Sequence, residues 1–334
     1  MELRILTVKE VLSAAATGIH KRGVWAAKVE EGELAVRRRR ALRRLDRELE
    51  KGNCKAALSL MKQFKAHPAG FLRGFGAATA TTKVPRSVSS SLQLVVDAIL
   101  HSIKRSLEFQ MQEEETEILP QDSGKMMVVD SCNSICEDRI MCVQHEAGHF
   151  LVGYMLGVLP RRYKIPSVED LLQDKFARGK VEFVGFEFLR EFGADHLSDR
   201  NFSKGKLNKE TLTKFSCVTL GGLAAEHLLF GYAELLHSDV EKVSLCIALY
   251  SYVQLRLTRG LRPTAWQLDR VLKWLGFTEN EVGFEHRRAA EATVLILSSH
   301  SEALYRLAEA MAVGRSVGFC IETIEHTLNF NNKL

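Results

Sequence analysis

Two histidines and a glutamate stand at a spacing that suits metal-dependent chemistry, in the segment HEAGH at residues 145–149. On a helix, residues four apart lie one turn above the other, so His145 and His149 can direct two imidazole nitrogens at one metal ion. Glu146 lies about 100° round the helix from His145, where it can reach a water on the metal without being a ligand. The pattern therefore predicts a zinc site with Glu146 as the general base of a hydrolysis reaction.

The helix that must hold these side chains is predicted from about Glu137 to Val158. Gly148 and Gly153 are poor helix formers that cost about 1 kcal/mol each relative to alanine, so they predict a close approach of another backbone. The alternative is a surface helix that carries two histidines and a glutamate without a role. An apolar stripe at three- and four-residue steps favours a buried helix; it comprises Ile140, Val143, Ala147, Leu151, Tyr154 and Val158.

The composition is that of a globular protein long enough for two domains, with 334 residues of which 46% are hydrophobic. The formal charge of +5 is uneven, because residues 1–128 carry 22 Lys and Arg against 15 Asp and Glu, a balance of +7. Any attraction to an anionic partner therefore belongs to the N-terminal part. No apolar run approaches the ~20 residues that span a bilayer, and neither a secretory signal nor a clear transit peptide is visible.

The seven cysteines are odd in number and scattered, which does not suit a disulfide framework and indicates a reducing compartment. Three of them precede His145 closely and raise the alternative of a second metal site. Zinc sites usually show paired C-x-x-C segments, so buried free thiols are the favoured interpretation. The three are Cys132, Cys136 and Cys142.

The N-terminal region is predicted to contain a helical hairpin, with helices over Glu30–Glu50 and Lys55–Lys65 and a stop at Gly52-Asn53. Its first helix carries a run of arginines between Arg37 and Arg47. This run could bind phosphates of nucleic acid or lipid, or form a solvated face; the interleaved Glu and Asp favour the solvated face, and nucleic acid is an unlikely partner. Another helix is predicted over Ser87–Met111.

The predicted organisation has three parts. Residues 1–118 form an N-terminal helical region with the basic hairpin. Residues 119–136, which follow an acidic turn and include Pro120-Gln-Asp-Ser-Gly124, form a linker. Residues 137–334 form the domain that contains HEAGH.

Beyond HEAGH the chain is predicted to be mostly helical, apart from one strand over Lys180–Phe188 that is rich in β-branched and aromatic residues. A strand at the edge of a sheet could add an extended peptide through main-chain hydrogen bonds; a plain core strand is the alternative. Thr211 to Phe230 is predicted as one helix with a thin face of small residues. Further helices follow over residues 238–257, 264–274, 279–300 and 302–312, as in a bundle around the site.

Catalytic zinc normally takes three protein ligands and leaves one position open for water. The continuation H-x-x-G-x-x-H is absent, since Val152 and Met155 occupy the places of its glycine and its last histidine. A more distant residue must therefore complete the site. The candidates are Glu226, His227, His237 and Asp239.

Over roughly residues 137–260 the chain resembles the protease domain of FtsH-type zinc metalloproteases. The family's pattern is HEAGH, then LGG-x-AAE followed by F-G, then an aspartate that is the third zinc ligand; here HEAGH precedes LGGLAAEHLLFGYAELLHSDVEKV. The resemblance implies Asp239 as the third ligand beside His145 and His149. The chain departs from the pattern at Leu223, where the family has arginine, and at His227, where it has a second glutamate.

The resemblance implies a mainly α fold, with a helical zincin-like peptidase domain that includes a small edge strand, preceded by the N-terminal helical segment. It implies a Zn²⁺-dependent metalloendopeptidase. The chain has no G-x-x-x-x-G-K-[ST] segment for an ATPase module, so it is similar to the ATPase-lacking FtsH-related proteins of plant chloroplasts. The expected substrates are unfolded or loosened polypeptides, with a homo-oligomer or an FtsH-type ATPase complex as possible partners and a peripheral membrane contact as a further one.

The alternative function is a catalytically silent FtsH-like scaffold or subunit that acts with a partner ATPase. A silent relative would be expected to have lost Glu146 or one of the two histidines. All three residues are present, which favours an active enzyme.

Overall fold

The computed structural model describes residues 23–66, 71–82, 89–114, 131–173, 179–186, 209–232, 265–274 and 276–331. Within these residues helices dominate, so the predicted mainly α class is confirmed. The strands are β1 (Pro160–Lys164) and β2 (Lys180–Phe183). The helices are α1 (Gly23–Glu50), α2 (Cys54–Ala66), α3 (Ser90–Glu114), α4 (Ser131–Met155), α5 (Val168–Gln173), α6 (Lys209–Thr219), α7 (Gly221–Phe230), α8 (Ala265–Trp274), α9 (Glu279–Ser299), α10 (Ser301–Ala312) and α11 (Val317–Asn331).

Helix α4 carries HEAGH, and both of its ends differ from the prediction. It begins six residues before Glu137, inside the segment predicted as a linker, and ends three residues before Val158. The end is set by Gly157, which adopts a left-handed φ of 76°. Its N–H donates to the Tyr154 carbonyl at 3.0 Å, and the Val158 N–H donates to the Gly153 carbonyl at 2.8 Å. These two bonds form a Schellman motif, which satisfies the last carbonyls of the helix.

Helix α4 lies at the centre of the core. Val143, Ala147, Leu151 and Tyr154 of the predicted stripe are buried, whereas Ile140 is 54% exposed and does not belong to it. Side chains between the stripe positions are buried as well, so other elements cover the helix on most sides. These additional buried residues are Phe150, Val152, Met155 and Leu156.

The close approach predicted at Gly148 is confirmed, because α7 crosses α4 at that point. A methyl group at Gly148 would lie 2.3 Å from the Gly221 carbonyl oxygen, and one at Gly221 would lie 2.9 Å from the Gly148 oxygen. The small residues predicted on this face of α7 therefore allow the backbones of α4 and α7 to come into contact. At Gly153 the neighbour is a side chain instead, since a methyl group there would lie 2.3 Å from the ring of Phe183.

The prediction of a single helix over residues 211–230 is wrong in one respect. The segment is divided into α6 and α7, with Leu220 between them and Gly231 at the C-terminal end of α7. The division turns the LGGLAAE segment into the first turns of a separate helix, which is the helix that crosses α4. The helix predicted over residues 238–257 lies outside the described residues.

The strand predicted over Lys180–Phe188 is shorter than expected. It ends at Phe183 and continues into a turn at Gly185, and residues 187–188 lie outside the described part. It pairs antiparallel with β1, in a register that places Tyr163 opposite Val181. Val181 and Phe183 are buried on the side of the sheet that faces α4 and the core. The small sheet therefore packs beside the helix that carries HEAGH.

The predicted basic hairpin is present as α1 and α2, joined through Gly52. It packs on the C-terminal helix α11, which the sequence analysis did not predict. Asp46 of α1 accepts hydrogen bonds from the Ser316 hydroxyl and from the Gly318 N–H, both at 2.7 Å. Arg39 forms a salt bridge of 2.7 Å with Glu322. Helix α1 is thus held against α11 and the loop before it.

A buried carboxylate joins the N-terminal region to α4. Glu325 of α11 accepts hydrogen bonds from the Arg73 and Gly74 N–H groups at 2.8 and 2.7 Å and from the Tyr154 hydroxyl at 2.7 Å. Its burial raises its pKa, and the three donors satisfy it inside the core. Residues from both sides of the predicted linker share one hydrophobic core. Residues 119–130 are not described, so the three-part division stays a prediction.

Among the helices of the described residues, none is long and apolar enough to cross a membrane.

Candidate metal centre

The two histidines of HEAGH converge on one point. The His145 Nε2 and His149 Nε2 atoms lie 3.0 Å apart, and the two rings meet edge to face with centroids 4.7 Å apart. The His149 side chain is buried, while His145 keeps a small exposed fraction. The structure therefore brings together the two imidazole nitrogens that the sequence nominates as ligands.

The other nitrogen of each ring has an acceptor that sets its tautomer. His149 Nδ1 lies 2.7 Å from the Val218 carbonyl oxygen, which can only accept, so Nδ1 carries the proton. His145 Nδ1 lies 2.5 Å from Glu226 Oε1, a buried carboxylate oxygen. With Nδ1–H donating in both rings, both Nε2 atoms present lone pairs. Two lone pairs 3.0 Å apart repel each other unless a proton or a metal cation lies between them, and two imidazole nitrogens that face one point are a donor set that fits a metal such as zinc.

A glycine keeps room beside this point. A methyl group at Gly222 would lie 2.4 Å from His145 Nε2. Any larger residue would displace the imidazole or occupy the space beside its Nε2 atom. Gly222 follows Gly221 directly, so one helix turn supplies both the contact with α4 and the space at the histidine.

Glu146 is buried, with 2% of its surface exposed, and lies against the start of β2. A methyl group at Gly179 would lie 2.5 Å from Glu146 Cγ and 2.9 Å from its Oε1. The Gly179 N–H donates to Cys142 Sγ at 3.1 Å, one helical turn before Glu146. Strand β2 therefore begins at the residue nominated as general base, which the sequence analysis did not foresee.

Of the four candidates for a third ligand, Asp239 and His237 lie outside the described residues. His227 directs its ring to Ser102 of α3, with Nε2 at 3.2 Å from the hydroxyl oxygen. Glu226 contacts the far nitrogen of His145 and not the nitrogen that faces His149. Within the residues that the structure describes, no group of three or more His, Cys, Asp or Glu side chains is arranged to hold a metal. Asp239 stays a prediction.

The role of Glu226 is one that sequence reasoning missed. It was a candidate ligand, but its contact is that of a group that orients a ligand: a carboxylate on the outer N–H fixes the ring and makes the inner nitrogen more basic. The sequence does contain a signal for this role, because Glu226 lies one turn after Gly222 on the face that carries the small residues.

The alternative of a second metal site at the three cysteines before His145 stays open. The side chains of Cys132 and Cys136 lie outside the described part of the structure.

We expect Glu226→Ala to weaken zinc binding by roughly 10–100-fold without abolishing it, because His145 would lose the group that orients it. Glu226→Gln should recover part of the affinity, since an amide oxygen can still accept from Nδ1. Competition with a chromophoric chelator would measure the affinities. His227→Ala is the matched control, because its neighbouring ring faces Ser102 and its loss should leave zinc affinity unchanged. Loss of all zinc in Glu226→Ala would instead make this glutamate a ligand.

Comparison of the chain with protein-family models, with curated proteins and with solved structures found no match to any of them. The resemblance to FtsH-type proteases stays a prediction, carried by the HEAGH and LGGLAAE motifs. In the structure the two motifs touch through Gly148 and Gly221 and through His145 and Glu226.

Proposed function

We propose that this chain is a zinc-dependent metalloendopeptidase of the FtsH type, without an ATPase module of its own. The observation that carries the proposal is the convergence of His145 Nε2 and His149 Nε2 at 3.0 Å, with each Nδ1 held by an acceptor. Two imidazole nitrogens that face each other in this way have the arrangement that a shared metal ion requires.

His145 and His149 would hold the metal, with Asp239 as the proposed third ligand. When bound, zinc supplies Lewis acidity: it makes water a stronger acid near neutral pH and polarises a carbonyl group. The Val218 carbonyl orients His149, and Glu226 orients His145. Ligands that are oriented by such contacts lose less conformational entropy when a metal binds.

Glu146 would serve as the general base and then as the general acid. Its carboxylate takes a proton from the water that attacks the scissile carbonyl carbon, and returns it to the amine nitrogen as the C–N bond breaks. One proton enters and one leaves, so the carboxylate is regenerated. The buried position of Glu146 against Gly179 keeps bulk water away from one side of the group.

Strand β2 suggests how a polypeptide substrate would be held. It begins next to Glu146. Within the described residues, its sheet consists of the two strands β1 and β2. An extended peptide that pairs with a free strand edge is selected by its backbone and not by its side chains. This favours unfolded or loosened proteins as substrates, delivered by diffusion or by a partner ATPase.

The first test measures the zinc content of the purified chain by inductively coupled plasma mass spectrometry. It also measures the cleavage of casein in the absence of ATP. We expect one zinc per chain and cleavage that stops with 1,10-phenanthroline and returns when zinc is added. Zinc without cleavage would favour the catalytically silent subunit. A chain that binds no zinc would contradict the proposal.

We expect His149→Ala and Asp239→Ala to lose both zinc and hydrolysis, because each removes a proposed ligand; the loss should exceed the roughly 10–100-fold effect typical of an orienting residue. His101→Ala, an exposed histidine on α3, is the matched control and should retain both. If Asp239→Ala keeps its zinc while Glu226→Ala loses it, the third ligand is Glu226 and the assignment of Asp239 is wrong.

A further inference from the structure

The outer face of α1 is built from arginines. Arg40, Arg43, Arg44 and Arg47 are all exposed, whereas Leu42, Leu45 and Leu49 are buried against the core. With 100° per residue, the four arginines fall within about 100° of one another on the side opposite the leucines. Their positive charges therefore point into solvent together. The four are called the arginine face below.

Two acidic residues of α1, Asp46 and Glu48, have their hydrogen-bond partners outside this face, while Glu50 is exposed at the C-terminal end of the helix. Asp46 accepts hydrogen bonds from Ser316 and Gly318 of the loop and first turn of α11. The Asp46 carboxylate thereby holds α1 against the N-terminal end of α11. It is therefore directed away from the arginine face.

Glu48 lies beside the arginine face, but both of its hydrogen-bond partners lie outside the face. It accepts from the Asn53 amide at 3.0 Å and from the Lys51 ammonium at 3.2 Å. These two contacts, with a smaller contribution from Arg44, lower the pKa of Glu48. Among the described residues, the guanidinium groups of Arg40, Arg43, Arg44 and Arg47 form no hydrogen bond or salt bridge. Arg39, at the margin of the face, has a carboxylate partner, Glu322.

The second helix of the hairpin adds to the positive charge. Lys51 at the turn and Lys55 and Lys62 on α2 are exposed, and α2 contributes no acidic residue. Several cations with few counter-charges create a local positive potential over the hairpin. The partner that such a potential selects is anionic.

We propose that the arginine face binds the anionic headgroups of a membrane surface. The face belongs to a single helix and is exposed along about two turns, so all four arginines can contact a flat layer of phosphates together. Val36 lies in the same angular sector as Arg40 and Arg43 and is 53% exposed, so it can enter the headgroup region beside them. Clustered basic residues on a helix are attracted to anionic leaflets.

Nucleic acid is the less favoured anion. Base stacking needs aromatic side chains, and base edges are read by amides as well as by arginines. The exposed residues between Val36 and Lys51 include no aromatic side chain and no amide. The face thus offers phosphate contacts without any group that would recognise a base. This inference does not depend on the proposed peptidase activity.

The test is co-sedimentation of the full chain with vesicles of phosphatidylcholine alone or with about one-third phosphatidylserine, at physiological ionic strength. We expect binding to the anionic vesicles only. Replacing the four arginines by glutamine should lower the partition coefficient by roughly fivefold for each arginine removed. The reason is that each basic residue near an anionic surface contributes a similar part of the binding free energy. Glutamine favours helix nearly as well as arginine, so the fold should be retained.

The matched control removes four positive charges elsewhere and should bind anionic vesicles like the wild type. It replaces Lys104, Arg105, Lys209 and Arg306, all exposed, by glutamine. Equal losses in both variants would show a net-charge effect and overturn the proposal. Absence of vesicle binding by the wild type would overturn it as well. Binding to a mixed-sequence RNA or DNA duplex that the arginine variant loses, with no binding to vesicles, would assign the face to nucleic acid instead.

Discussion

Glu146→Gln is expected to retain zinc and lose hydrolysis, with the cleavage rate falling by roughly 10²–10⁴-fold, the contribution typical of a general base. The amide is nearly isosteric with the carboxylate but cannot take a proton from water. The metal should be unaffected because His145 and His149 are oriented by Val218 and Glu226, not by Glu146. The measurement pairs zinc content with initial rates on fluorescently labelled casein.

The matched control is Glu137→Gln, an exposed glutamate on the same helix α4. It should leave both zinc content and rate unchanged. If Glu146→Gln cleaved casein as fast as the wild type, Glu146 would not be the base. If Glu146→Gln lost zinc, the glutamate would be part of the coordination shell or of the fold, and the separation between ligands and base would be wrong.

Gly148→Ala is expected to destabilise the protein strongly, because the added methyl group would meet backbone. It would lie 2.3 Å from the Gly221 carbonyl oxygen and 2.7 Å from Cβ of Ala225. A carbonyl oxygen in a helix cannot rotate away as a side chain can, so α4 and α7 must separate. Overpacking in a core typically costs about 1–3 kcal/mol, and a contact with backbone belongs at or above the upper end of that range. Chemical denaturation monitored by circular dichroism would measure the change.

The same separation should weaken the metal site. His149 is held by the α6 carbonyl of Val218, and His145 by Glu226 of α7, so a shift of α7 from α4 would disturb at least the second contact. Zinc affinity of Gly148→Ala should therefore fall together with stability. A variant that is as stable as the wild type would show that the two helices do not cross as closely as described.

Gly283→Ala is the matched control for the glycine substitution. Gly283 lies within α9, and a methyl group there would have nothing within 4 Å. The same chemical change should stabilise the protein by about 0.5–1 kcal/mol, because alanine favours helix over glycine. If the free energy of unfolding falls in Gly148→Ala and rises in Gly283→Ala, the contact with Gly221, and not helix propensity, determines the stability change at Gly148.

The sequence by itself determined what depends on helical period and on short-range signals. The three chemical groups of HEAGH share a helix because their spacing is four residues or less, which is a local property. Helices α1 and α2 follow from apolar residues at helical steps and from the stop at Gly52. Glycine inside a buried helix predicts a close contact at Gly148. The end of α4 at Gly157 has a signal of the same kind, a glycine followed closely by Pro160.

Only the tertiary structure decided what depends on residues far apart in the chain. Glu226 faces the outer nitrogen of His145, Gly179 brings β2 against Glu146, and Gly153 accommodates Phe183. Which nitrogen a carboxylate contacts depends on how α7 crosses α4, and no local pattern contains that angle. For the same reason no local pattern shows that α11 engages Asp46, one of the acidic residues interleaved with the arginines of α1. Local spacing names the groups that can react, and the packing of distant segments determines which atoms they present to each other.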